Sequence, residues 1–153
     1  MENKRVVVIG GGSGIKGLVR AIVNRSDIDL TVIAGLVDDG GSGGTLRKQL
    51  SVSPGGDIRS LLIAASPESL LSNAMGHRFS KGDLKGHNAG NILLAALEQN
   101  ATLTEAIATL SKVLGTRAQI LPATLEPAVL TITTGEVRIA GEDIIEQASL
   151  PKG

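Results

Sequence analysis

Apolar residues follow two spacings along the chain. Val6-Val7-Val8-Ile9 is an unbroken β-branched run, which predicts a strand buried on both faces, as in a parallel sheet. After a glycine-rich turn, Ile15, Leu18, Val19, Ile22 and Val23 recur at helical spacing and predict a helix to about Asn24, where Arg25-Ser26-Asp27 break it. Leu30-Thr31-Val32-Ile33-Ala34-Gly35-Leu36-Val37 predicts a second strand. Thr45-Leu46-Arg47-Lys48-Gln49-Leu50 predicts one or two helical turns. Asp57 is placed to cap a helix over 58–65. Ser66 and Pro67 fit the N-cap and first position of another, running to about Phe79.

A polar connector over 80–86 leads to His87-Asn88-Ala89-Gly90-Asn91, which opens a helix with an apolar stripe of Ile92, Leu93, Ala96 and Leu97. Thr102-Leu103-Thr104-Glu105 reads as a capping box. Its helix carries Ile107, Leu110, Val113 and Leu114, and Gly115 ends it. Ile120-Leu121-Pro122 predicts a short third strand. Residues 129–133 and 136–140 alternate across Thr134-Gly135 and predict a hairpin.

This order predicts an α/β fold: one Rossmann-like, three-layer domain over 1–153, with a parallel sheet, a helical middle section and a late β-hairpin. The strands are few for a finished doubly wound sheet. The expectation is the N-terminal half of a larger fold, or a sheet completed by association into a homo-oligomer.

Composition narrows the function. The 153 residues carry a formal net charge of +0 and one aromatic, Phe79, so neither a basic surface nor stacking platforms support nucleic-acid binding. Cys is 0, which excludes disulfides, thiolate metal sites and a cysteine nucleophile and suits a cytoplasmic location. The apolar run after Met1-Glu2-Asn3-Lys4-Arg5 is too short for a signal h-region or a membrane span. Glycine is abundant, 20 residues in clusters, as in loops built around a ligand.

The turn Gly10-Gly11-Gly12-Ser13-Gly14 stands between a strand and a helix, where free N–H groups and the helix dipole favour phosphate. Gly12, Gly14 and Gly17 satisfy G-x-G-x-x-G, a pattern that a plain tight turn also meets. The acids Asp38-Asp39 follow at about the distance of a dinucleotide fold's ribose acid. They could instead hold Mg²⁺ beside a diphosphate, or be solvated turn acids. Arg47 and Arg59 each follow a glycine loop and suit bidentate phosphate contact, whereas Lys48 reads as a solvated face. At the start of the His87 helix, Asn88 is either a ligand donor or only the cap. His87 has no cysteine, second histidine or triad partner nearby to make it a metal ligand or catalytic base. His77 reads as structural, and Thr124 as a strand-edge loop residue.

Taken in order, Val8-Ile9-Gly10-Gly11-Gly12-Ser13-Gly14, Asp38-Asp39-Gly40-Gly41-Ser42-Gly43-Gly44-Thr45-Leu46-Arg47, Pro54-Gly55-Gly56-Asp57-Ile58-Arg59 and Gly86-His87-Asn88-Ala89-Gly90-Asn91 resemble the motifs of the gluconeogenesis factor family, which is related to phospholactate transferases. Gly43 stands where that branch usually has a serine, and Gly55-Gly56 replace a Pro-Gly pair. The family's later motifs have no counterpart in this chain. The resemblance implies a nucleotide or nucleotide-sugar ligand, of the UDP-sugar or dinucleotide kind. It also implies a cytoplasmic protein needed for growth on gluconeogenic carbon and for control of cell shape and wall synthesis. The transferase relatives use Mg²⁺ to move a phospholactyl group from a guanosine diphosphate carrier to a deazaflavin. Carried over, Asp38 and Asp39 match the acidic motif, and Asn88 and Asn91 the Gly-His-x-x-Gly-Asn motif. Two readings follow: a ligand-binding regulator without catalysis, or an Mg²⁺-dependent transferase. No nucleophile or general base pairs with the acids, which favours the regulator.

Overall fold

The computed structural model describes residues 3–37, 40–126, 128–135 and 137–148. Its order is β1 (Lys4–Gly10), α1 (Gly12–Ile22), β2 (Ile28–Ala34), α2 (Gly41–Leu50), α3 (Gly56–Ala64), α4 (Leu70–Gly76), α5 (Ala89–Glu98), α6 (Leu103–Leu114), β3 (Gln119–Pro122), β4 (Thr131–Thr134), β5 (Val137–Ala140) and α7 (Glu142–Gln147). β1, β2 and β3 form a parallel sheet in that spatial order, and β4 and β5 form a separate antiparallel hairpin. The α/β class, the parallel sheet, the helical middle and the late hairpin match the expectation.

Pairing aligns Val8 with Val32 and Ile120, and Val6 with Leu30. These residues share one face and meet Val19 of α1 and Val23 at its C-cap, Ile58, Leu61 and Leu62 of α3, and Ile107, Leu110 and Leu114 of α6 in one core. A smaller cluster, Leu46, Val52 and Ala95, joins α2 to α5.

β1 departs from the expectation of burial on both faces. Val7 is 58% exposed and Ile9 70%, and Leu18 of the predicted α1 stripe is also exposed. Both crossovers advance the sheet in the same direction, and right-handed connections then place their helices on the same face. Leaving Val7 and Ile9 in water forgoes about 1.5–3 kcal/mol for each.

Three boundaries also move. α2 starts at Gly41, several residues before the predicted turns, because its small first residues let the backbone pack closely on its neighbours: Ser42, Gly43 and Gly44 are all buried. α4 is capped by Ser69, in a reciprocal box with Ser72, whereas the Ser66 hydroxyl donates back to the Leu62 carbonyl. Asp57 caps no part of its own helix, whose N-cap is Gly55. The capping box of Thr102 and Glu105 and the left-handed Gly115 at the end of α6 are as expected, as is Asn88 at the N-cap of α5.

Candidate functional site

The first glycine turn is already supplied with an anion. Gly12 sits at φ +74, a conformation glycine adopts without strain. Its N–H donates to Asp57 Oδ1 at 2.9 Å. A Cβ on Gly11 would collide with the same carboxylate. Asp57 therefore reaches across from the first turn of α3 and places its negative charge at the start of α1, where the helix dipole favours it.

The second glycine run is built differently. Gly43 packs directly on the next helix: a Cβ there would lie 3.6 Å from Gly56 N and 3.9 Å from both Gly55 N and Asn91 Nδ2. The N-termini of α2, α3 and α5 thus converge. Between them opens a hollow of about 310 Å³ lined by Gly40, Gly41, Ser42, Gly43, Gly56, Asp57, Arg59, Ser60, Arg78 and Asn91. Its lining is almost wholly polar in type.

Two residues of this lining carry buried polar atoms without partners. Asn91 is 4% exposed, and its Oδ1 is buried without a hydrogen bond, as is Arg59 Nε. Buried polar atoms are normally paired, and an orphan costs about 1–3 kcal/mol. Arg59 Nη2 is spent on Ser60 Oγ at 3.2 Å. Burial first, and the neighbouring Arg78 charge second, hold the Arg59 guanidinium below the ordinary arginine range, with Asp57 opposing. Two cations that disfavour each other are a ready receptor for an anion. Glycine at position 90 lets the Arg59 stem lie against α5, since a Cβ there would stand 2.8 Å from Arg59 Cδ and 2.6 Å from the Met75 carbonyl oxygen.

Of the predicted site residues, the hollow gathers Gly40, Gly41, Ser42, Asp57, Arg59 and Asn91. Ser42 Oγ accepts from the Asn88 N–H at 3.0 Å and lies 3.4 Å from His87 Nδ1, so His87 stands just behind the lining. Asn88 is 1% exposed and fully engaged: its Oδ1 accepts from Gly90 N–H and its Nδ2 donates to the Gly76 carbonyl. Gly10, Gly11, Gly12, Ser13 and Gly14 do not line the hollow. Arg47 faces elsewhere, donating to the Ala128 carbonyl at 2.9 Å beside a separate cavity of about 370 Å³. Asp38 and Asp39 lie outside the described residues. Among the described residues, no cluster of three or more metal-ligating side chains occurs.

Sequence reasoning missed Arg78 and Ser60. Arg78 reaches the hollow because an isolated antiparallel bridge to Asn88 folds the 79–87 connector back on itself, with Phe79 N–H donating to the His87 carbonyl at 2.9 Å. No local pattern announces that bridge.

The family profile described as 2-phospho-L-lactate transferase CofD matches residues 6–152. The chain belongs to the CofD family. A gluconeogenesis factor from Halalkalibacterium halodurans is 40% identical over 164 residues, covering 99% of this chain and 51% of the relative. One from Bacillus subtilis is 38% identical over 150 residues, covering 95% of this chain and 47% of the relative. A crystal structure of a UPF0052-family protein from Bacillus halodurans superposes with a TM-score of 0.92 at 38% identity, over 97% of this chain and 49% of that one. The chain spans about half the length of these CofD-family relatives. No helix among its described residues is long and apolar enough to cross a membrane.

Proposed function

We propose that this chain binds the diphosphate of a nucleotide or nucleotide-sugar in the hollow between α2, α3 and α5. The observation that carries this is the pair of orphaned, buried atoms, Arg59 Nε and Asn91 Oδ1, at one polar hollow. Arg59 and Arg78 supply charge, and the first turns of three helices supply N–H donors and dipoles aimed at an anion. Asn91 Oδ1 accepts from a ligand hydroxyl or N–H. If Mg²⁺ accompanies the diphosphate, Asp38 and Asp39 are the carboxylates we assign to it, since Mg²⁺ takes one or two carboxylates with phosphate and water.

The relatives' name, gluconeogenesis factor, supports a role tied to growth on gluconeogenic carbon; the cytoplasmic, non-catalytic setting and the part in control of cell shape are what the motif resemblance implies. The family profile carries the name of a transferase, and turnover of a nucleotide-diphosphate substrate with Mg²⁺ would replace the binding role by that one. Calorimetric titration with pyrophosphate, UDP and a UDP-sugar, with and without Mg²⁺, tests the reading. Saturable binding of pyrophosphate, weakened on Arg59→Met, is expected. Absence of binding by all three ligands sinks it.

A further inference from the structure

The Ser42 hydroxyl stands where the hollow meets the start of α5. Ser42 is 6% exposed and belongs to the lining. A serine oxygen has three places for hydrogen-bond partners: two lone pairs and its own proton. One lone pair accepts the Asn88 N–H at 3.0 Å. A second place faces His87 Nδ1 at 3.4 Å, a long hydrogen bond. The third is what Ser42 offers a ligand. The imidazole stands where it does because its backbone is fixed on both sides: His87 N–H donates to the Leu84 carbonyl and its own carbonyl accepts from Phe79 N–H, both at 2.9 Å.

What the third place holds depends on the ring. A bare Nδ1 accepts the serine proton, and a lone pair is left for the hollow. A protonated Nδ1 donates to Oγ instead, and the serine proton is left for the hollow. In the neutral imidazole one ring nitrogen donates and the other accepts, and the partners each nitrogen finds select the tautomer. A phosphate oxygen only accepts, so it is matched by the second arrangement and repelled by the first.

We propose that His87 is a positioning residue for the ligand of this hollow: in the complex its ring carries the proton on Nδ1, donates to Ser42 Oγ, and so turns the Ser42 O–H onto a phosphate oxygen. The inference rests on the reading of the hollow as a diphosphate site and adds one uncharged donor to its two arginines. No net proton is gained. The neutral ring changes tautomer, losing its proton at Nε2 to water and taking one from water at Nδ1. A ligand that binds one arrangement better draws the population toward it.

The chain has two histidines, His77 and His87. Magnetic resonance of protein isotope-labelled at the histidine ring nitrogens, assigned with His77→Gln, therefore reads the tautomer directly. In the parent chain saturated with pyrophosphate, His87 Nδ1 should show the chemical shift of a protonated nitrogen. In Ser42→Ala, the state of Nδ1 should no longer depend on pyrophosphate. Calorimetry adds a second readout. Ser42→Ala should bind pyrophosphate roughly tenfold more weakly, the worth of one hydrogen bond to a charged group. His87→Leu should bind it about 2- to 10-fold more weakly, the range for one ordinary hydrogen bond. His87→Asn, whose amide can donate to Oγ from nearly the same place, should recover most of that loss. A bare Nδ1 in the saturated parent complex overturns the proposal, and so does parent affinity in Ser42→Ala. Either result alongside saturable binding leaves the diphosphate reading standing, whereas no binding of pyrophosphate at all removes both.

Discussion

The glycine turn at 10–14 and the glycine run at 40–43 both lie beyond the carboxyl end of a parallel strand, and both open a helix. The first has the familiar motif, yet its free Gly12 N–H is answered by Asp57 from within the protein. The second matches no phosphate pattern, yet it borders two unsatisfied buried atoms and two arginines. Glycine content marks both places where the backbone needs room. What separates them is the pair of arginines, Arg59 and Arg78, that lines the hollow beside the second and not the first. That polar hollow is what we read as open to an outside anion.

The sharpest way to break this contrast is Arg59→Met. A charge-assisted hydrogen bond contributes about 1.5–3 kcal/mol, so pyrophosphate affinity should fall roughly 10- to 100-fold at 1.4 kcal/mol per decade. Stability should hold or rise, because the substitution also removes the orphaned Nε. Loss of affinity with a matching loss of melting temperature would instead make Arg59 a packing residue.

Next is Gly43→Ala. Its Cβ meets Gly56 N at an ordinary contact distance of 3.6 Å, so the fold should accept it, and replacing a helical glycine contributes about 0.5–1 kcal/mol. The methyl shields the N–H groups at the start of α3. Pyrophosphate affinity by calorimetry should drop about tenfold, the worth of a single hydrogen bond to a charged group. Unchanged affinity would place the ligand elsewhere.

These two residues also show what the sequence makes legible. Strand and helix types, the Thr102–Glu105 box, the Asn88 cap and the third strand all rest on local spacing and all appear, although α2 starts earlier and α4 later than the pattern puts them. Six of the predicted site residues meet in one hollow; Asp57, Arg59 and Asn91 sit at helix starts that a local reading can place, whereas Gly40, Gly41 and Ser42 sit at one it does not. The failures are non-local. The Asp57 cap spans 45 positions to Gly12. Arg78 arrives by a bridge that closes a polar connector. The helical start at Gly41 depends on backbone packing against α3, which overrides glycine's poor propensity. The open face of β1 follows from the direction of the crossovers, which apolar periodicity does not encode.

At the first turn, Gly12→Ala should act on stability alone. A β-carbon in the left-handed region costs about 1–2 kcal/mol, and no atom lies within 4 Å of the added Cβ. The melting temperature should therefore fall by a few degrees, at roughly 2–4 °C per kcal/mol for a chain of this size. Pyrophosphate affinity, measured well below the transition, should stay within about twofold, since the ligand site contains no part of this turn. A selective loss of affinity would return the phosphate to the turn at 10–14 and erase the contrast.

The smallest effect belongs to Asp57→Asn, and its sign is the informative part. The amide oxygen of asparagine still accepts from Gly12 N–H, so the contact between α3 and α1 survives. What disappears is a negative charge, at the start of α1 and at the lining of the hollow. Losing it at the helix start should cost about 0.3–1 kcal/mol of stability at low ionic strength. Losing it at the hollow removes repulsion against an incoming anion and also the opposing influence that Asp57 exerts on Arg59. In metal-free buffer, pyrophosphate should thus bind as tightly as to the parent chain or a few-fold more tightly, and added salt should shrink that gain by screening. Calorimetry at two salt concentrations reads both. A carboxylate that contacts the ligand directly, by accepting from a hydroxyl, would give the opposite sign with UDP or a UDP-sugar: weaker binding in the variant, with pyrophosphate unaffected. The two ligands therefore separate a charge held for α1 from one held for the ligand.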